Sequence, residues 1–350
     1  MSETFQQAVG ETGAPQRGQP GGGGLGGMLM RGLRVLGRQR EATVFVIAVV
    51  LFIYFAISQG SSFTGKPNQV TLWSDFTTPI IIIALGEVFL LICGEIDLSV
   101  GFVVGFAPFL MHYLTDFYGF PGLLAILFAL LFGLLVGWIN GFFTVTIGVP
   151  SFITTLGTGF VLMGLINYTS HDQPAPVPAN VLGIGKWIAN YAWAPIIWAI
   201  VLTAVFHIVL TRTRWGLHTV STGGNLLGAR EAGINVGRIK YGNFMVTGLL
   251  GAFVGLQQMY YTNNIAPTAG SYTYMFYAVT AAVIGGTAML GGVGTIIGAF
   301  FGAAVLGILL DAFPLIGVSA DLLPIVFGAA ILISMVANVQ LARLQERGQN

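Results

Sequence analysis

Residues 211–241 read TRTRWGLHTVSTGGNLLGAREAGINVGRIKY, a basic, glycine-rich island in the middle of an otherwise oily chain. The island holds five of the 14 Lys and Arg residues: Arg212, Arg214, Arg230, Arg238 and Lys240. The chain before and after it reads as membrane. A long polar loop between spanning helices is costly to keep unless something docks on it. The stretch 212–240 is therefore expected to be a cytoplasmic coupling loop that meets a partner.

Composition fixes the class around that island. With 55% hydrophobic and 8% charged residues, 50 glycines and a mean hydropathy of +0.82, the chain is too apolar for a soluble domain of its length. An all-α, multi-pass membrane protein is expected. A net charge of +1 gives no reason to expect nucleic acid, and the one cysteine, Cys93, cannot form an internal disulfide. Cys93 reads as a small apolar group inside a helix.

Apolar runs near the ~20 residues that cross a bilayer as a helix occur at 42–58, 76–93, 98–115, 121–146, 150–168, 190–211, 242–262, 274–290, 294–311 and 321–338. Ten crossings put both termini and the island on one side. Basic residues agree with that count: of 14 Lys and Arg, only Lys66 and Lys186 fall on the other side. Both termini are thus expected in the cytoplasm. The weakest boundary is 93–98, where two spans meet with almost no loop. Residues 1–40, rich in Gly, Gln and Pro, are expected to be a disordered tail ending in a basic anchor of Arg31, Arg34, Arg38 and Arg40 that can lie on anionic lipid. The membrane domain is expected over 41–340 and a short cytoplasmic tail over 341–350.

Glycines carry a second message. Gly294, Gly298 and Gly302 recur at intervals that let helix backbones approach closely. GEIDLSVGFVVG at 94–105 and GGVGTIIGAFFG at 291–302 align at Gly94 with Gly291, Gly101 with Gly298 and Gly105 with Gly302. The alignment points to an internal duplication of spans two to five and seven to ten, as many transporters have.

Ionisable groups inside the apolar runs are few. They are Glu87, then Glu95 and Asp97 at the end of the second span, with Asp311 expected at an interface. Asp97 and Ser99 are expected to cap the third span by accepting its free N–H groups. Nothing here forms a relay of paired carboxylates and histidines, which argues against proton or sodium coupling. The four histidines, His112, His171, His207 and His218, are scattered without metal-ligand spacing, and neither a nucleophile elbow nor a phosphate loop occurs. No catalytic residue, metal or cofactor is expected. If ATP drives the protein, another chain binds it.

Four strings in order, GEIDLSVG at 94–101, GVPSFITTLGT at 148–158, GGNLLGAREAGINVGR at 223–238 and IGGTAMLGGVGTIIGAFFGA at 284–303, resemble the permease subunits of ribose/xylose-type bacterial ABC sugar importers. The resemblance covers about 70–338. It implies that Gly224, Asn225, Ala229, Arg230, Gly233 and Ile234 form the ATPase-coupling segment and that Asp97, Leu98, Ser99 and Gly101 form the family's signature turn. Many relatives have Gly-Gly-Ile-Asp where this chain has Gly94-Glu95-Ile96-Asp97. It further implies an inner-membrane permease, a second permease copy or paralogue, a separate ABC ATPase on the cytoplasmic face, and a soluble extracytoplasmic protein that delivers a monosaccharide.

A neutral polyol needs hydrogen bonds and aromatic faces along its pathway but no counter-charge. Asn140, Thr154, Thr155, Asn167, Gln257, Gln258 and Tyr261 lie at membrane depth and could supply them, or could simply bond helix to helix. Two alternatives stay open: a stand-alone carrier or channel, and an ABC permease for a nucleoside or a furanosyl signal molecule. The island favours an importer subunit. Within it, Asn225 is expected to cap a short helix that ends at a left-handed Gly233, with Leu226, Ala229 and Arg230 sharing an outward face.

Overall fold

The computed structural model describes residues 40–189, 191–319, 322–329, 332–333 and 336. The Gly-rich tail with its basic anchor, apart from Arg40, and the C-terminal tail lie outside these residues. The described chain is helical. Arg40–Gln59 forms α1 and Ser61–Thr64 a short α2. A 27-residue helix, Lys66–Ile92 (α3), follows, with wider π-type turns over Thr71–Thr77. Then come Val100–Asp116 (α4), Gly122–Ile147 (α5) and Ser151–Ser170 (α6). Leu182–Ile188 (α7) is short, and Ala194–Arg212 (α8) returns to the island. The island itself folds as Arg214–Gly224 (α9) and Leu226–Glu231 (α10). Val236–Thr262 (α11), Ser271–Ile284 (α12) and Ile296–Leu315 (α13) complete the set, with further helix at 323–329.

Seven of these helices are long and apolar enough to cross a bilayer, and two apolar ones, Val100–Asp116 and Ser271–Ile284, are shorter. Those nine coincide with the first nine expected runs. The tenth, 321–338, is only partly described. The second span begins ten residues earlier than its sequence run, because Thr71, Ser74 and Asp75 are polar enough to interrupt the hydropathy signal yet stay within the helix.

Burial sorts the helices into layers. Every residue of Thr78–Ile92 in α3 is buried. By contrast α1, α5, α6 and α8 turn large apolar side chains outward, among them Ile57, Leu123, Val161 and Ile197. Such a surface is stable only against lipid. The interior helix is hydrophobic all round, as expected of one enclosed by others. Against it pack α11, α12, α13 and α8, while α11 also runs along α5 and α4.

Glycine makes these approaches possible. A Cβ at Gly298 would run into the carbonyl of Gly285, and one at Gly302 into the backbone of Ala281, so α12 and α13 touch backbone to backbone. Gly302→Val is therefore expected to force the pair apart at the cost of overpacking, about 1–3 kcal/mol, and lower the melting temperature of detergent-purified protein. Gly164→Val, where a Cβ meets nothing within 4 Å, is the control; equal melting temperatures for the two variants would contradict the close-packed seam.

Candidate functional site

The break between α3 and α4, residues 93–99, brings the charged and polar groups together. Gly94 takes φ +73°, which turns the chain back on itself at the end of α3. The returning strand puts Asp97 and Ser99 at 0% exposure. A carboxylate so placed must be matched by donors. Asp97 Oδ1 accepts the Ser99 N–H at 2.8 Å and its hydroxyl at 2.6 Å. Asn140, reaching in from α5, donates its amide to Asp97 Oδ1 and Oδ2 at 3.3 and 3.2 Å and to Ser99 Oγ at 2.8 Å.

Asp97 thus holds the start of α4, but Ser99 does not cap it. No side-chain bond is made by Ser99 to the helix N–H groups, because its hydroxyl is engaged by Asp97 and Asn140. Glu87 lies one side away, fully buried, with Oε2 accepting the Asp97 N–H at 3.5 Å. From α6, Ser151 Oγ accepts the Ile96 N–H at 3.3 Å, and Thr155 donates to the Ser151 carbonyl at 2.7 Å. Glu95, where relatives were expected to have glycine, forms an ion pair with Lys240 at the start of α11. The departure from the signature therefore has a partner.

The island sits on this break. In the last turn of its α9 lies Gly223, where a Cβ would collide with the Ile92 carbonyl and the Gly292 N–H. Gly292 in turn donates to the Ile92 carbonyl at 2.8 Å. Gly291 lies beside Gly94, so the two glycine-aligned breaks, 93–99 and 285–295, meet each other under the island. Asn243 ties the same corner, accepting from Trp215 Nε1 at 2.9 Å and donating to the Phe89 carbonyl at 3.3 Å.

Within the island, Asn225 Oδ1 accepts the Gly228 N–H at 2.8 Å and Gly233 takes φ +80°, enclosing α10 as its sequence requires. The face it presents differs from the expected one. Ala229 is 4% exposed and lines a groove together with Val220 and Ile234, so it cannot be part of an outward knob. Leu226 and Leu227, at 41% and 67%, are exposed together with Arg230. Gly224 is exposed and Ile234 half-buried beside them.

The seven polar candidates at membrane depth do not form one group. Asn140 and Thr155 belong to the break, and Thr154 is buried with its hydroxyl unpartnered. Asn167 is exposed near the end of α6. Gln257 is 2% exposed and its amide nitrogen has no partner. Gln258 lines a separate cavity and donates to Asp75 Oδ1 at 2.6 Å, and Tyr261 lies near that same carboxylate. Sequence reading missed Asp75 because the second span was begun at 76. Asp311, 5% exposed, accepts from Asn68 at 2.7 Å and is a tie between α13 and the start of α3.

Comparison with known proteins adds the family. A family model described as branched-chain amino acid transport system / permease component matches residues 69–335. The xylose/arabinose import permease XylH of Sulfolobus acidocaldarius is 32% identical over 306 residues, 85% of each chain. The ribose import permease RbsC of Bacillus subtilis is 33% identical over 258 residues, 73% of this chain and 80% of its own. The fructose import permease FrcC of Rhizobium meliloti is 28% identical over 306 residues, 84% of each. No solved structure matches.

The break makes a direct prediction. Asp97→Leu leaves the Ser99 N–H and hydroxyl buried without their acceptor, about 1–3 kcal/mol for each, and leaves the Asn140 amide only its bond to Ser99 Oγ, so it should reduce both membrane-inserted yield and melting temperature. Asp97→Asn keeps an acceptor oxygen and should retain most of the yield. A Leu variant with wild-type values of both would show that Asp97 does not hold the turn.

Proposed function

This chain belongs to the branched-chain amino acid transport system / permease component family, and on that footing we propose that it carries a neutral monosaccharide, with the island 212–240 as the dock for a partner ATPase. It is a transmembrane permease subunit of an ABC importer, a transport subunit and not an enzyme. Such permeases work with an ATPase and a binding protein. The finer assignments made here are a permease dimer sharing one pathway, lipid around the outward apolar faces, and a cell membrane in which both termini and the island face the cytoplasm. The excess of basic residues on the island's side supports that orientation.

Two relatives are named for pentose import and one for fructose import, which supports a sugar of similar size here. The observation that carries the docking assignment is the arrangement of α10. Its exposed Leu226, Leu227 and Arg230 form an apolar patch beside a cation, while Ala229 and the glycines at 223 and 292 anchor it to both breaks. Gly224, Asn225, Gly233 and Ile234 shape the support for that patch and need not touch the ATPase.

Leu227→Glu with Arg230→Glu should leave the permease inserted, because both side chains are exposed, yet weaken ATPase co-purification and abolish uptake. Wild-type co-purification and uptake would reject the island as the dock. Orientation is tested in the same cells: a cysteine at Gln173 should react with an impermeant maleimide from outside, and one at Glu231 only after the membrane is opened. The native Cys93 is buried and gives little background.

A further inference from the structure

We infer that a cavity of about 460 Å³ within this single chain, walled by α3, α4, α11, α12 and the segment 263–270, is a binding chamber for a hydroxyl-rich, uncharged ring. The inference rests on the orientation proposed above, which places the cavity in the outer half of the membrane.

The first support is backbone geometry. Helix α12 has 14 residues, a rise of about 21 Å against a hydrocarbon core of about 30 Å. The crossing must be completed by the non-helical segment 263–270. Irregular backbone at membrane depth is tolerated where it is buried in protein or lines a water-filled cavity, and this segment lines the cavity. It is also held there deliberately. A Cβ at Gly101 would strike the Ser271 carbonyl and one at Gly105 the Ala269 carbonyl, so the glycines following the Asp97 turn make the room in which the cavity wall lies. Gly270 and Ser271 both take positive φ to complete that wall, the latter at +55°, a conformation a non-glycine residue adopts only when its surroundings impose it.

The second support is the chemistry of the lining. None of the lining residues is Asp, Glu, Lys, Arg or His. The carboxylate of a zwitterionic amino acid would find no cation among them, which is a severe cost in a confined site. Neutral donors and acceptors are present instead, on Gln258 and Asn264, with the rings of Phe76, Tyr274 and Tyr277. Asp75, partly exposed beside the cavity, takes the Gln258 amide N–H on Oδ1 at 2.6 Å. That bond fixes which way the amide points and leaves the Gln258 carbonyl oxygen as an oriented acceptor for a ligand hydroxyl. Aromatic faces beside hydrogen-bonding amides suit a ring with apolar C–H faces and a polar edge. The volume falls in the range of small-molecule sites.

The test uses the permease reconstituted with its ATPase and binding protein in proteoliposomes, with Thr273→Cys as reporter and Tyr118→Cys, an exposed position away from the cavity, as control. D-xylose, D-ribose and D-fructose are supplied in turn at millimolar concentration, and uptake is measured alongside cysteine modification by an impermeant reagent. At least one sugar that is taken up should slow modification at 273 and leave that at 118 unchanged. Adding Gln258→Leu should raise the sugar concentration needed for half-protection about fivefold, the factor one neutral hydrogen bond is worth. Unslowed modification at 273 during normal uptake would overturn the chamber while leaving the importer reading intact. So would a cysteine at 273 that does not react without sugar, since the cavity would then be closed to the outer face. Uptake of none of the three sugars would overturn the monosaccharide reading and the chamber with it.

Discussion

A carboxylate with no access to solvent must be answered by donors, and the matching of Asp97 is the constraint on which the rest of this structure depends. The helix Lys66–Ile92 is enclosed by protein along its final four turns and ends where Gly94 reverses the chain. Asp97 then draws in Ser99 from the next helix and Asn140 from α5. Ile96 is tied to α6 through Ser151, and Glu95 to α11 through Lys240. One seven-residue turn thereby fixes the relative placement of five helices, α3, α4, α5, α6 and α11. Removing its acceptor would leave buried donors unmatched on two of them, which is why the cost of losing it should exceed that of an ordinary helix cap.

The same turn explains why the island is where it is. The end of α9 approaches the Ile92 carbonyl so closely that only glycine fits at 223, and Gly292 closes the contact from the second break. The island is therefore seated on the two places where spanning helices are interrupted, with glycine backbone at the contact. On its far side α10 turns Leu226, Leu227 and Arg230 outward. Beneath those residues, backbone packs on backbone where Gly223 and Gly292 meet the Ile92 carbonyl. On the opposite side of the turn, Gly101 and Gly105 support the wall of the cavity at Ser271 and Ala269. Island, break and cavity form one continuous chain of contacts.

Much of the architecture could be read from the sequence because membrane spans are set by length and hydropathy alone. Nine helices lie where the apolar runs put them, and Asn225 and Gly233 bound α10 through backbone rules that need no tertiary context. The misreadings share a physical cause. Ser99 was expected to cap α4, but its hydroxyl donates to Asp97 and accepts from the Asn140 amide, a donor that takes the place of a helix N–H. Ala229 was placed on the outward face because spacing tells which residues share a side of a helix, never which side meets the protein. Asp75 escaped notice because a polar turn within a helix looks like its end. Glu95 could not be understood without Lys240, 145 residues away. Positions of helices were local information; the pairing of buried polar groups was not.

The central claim is that this chain forms a passive pathway driven by a separate ATPase. The most direct measurement is radiolabelled D-xylose or D-ribose movement into proteoliposomes holding the purified permease alone, compared with vesicles that also hold its ATPase and binding protein. The account predicts no saturable uptake or counterflow by the permease alone, and concentrative uptake that requires ATP in the complete system. Saturable, ATP-independent counterflow by the permease alone would contradict it and identify a stand-alone carrier.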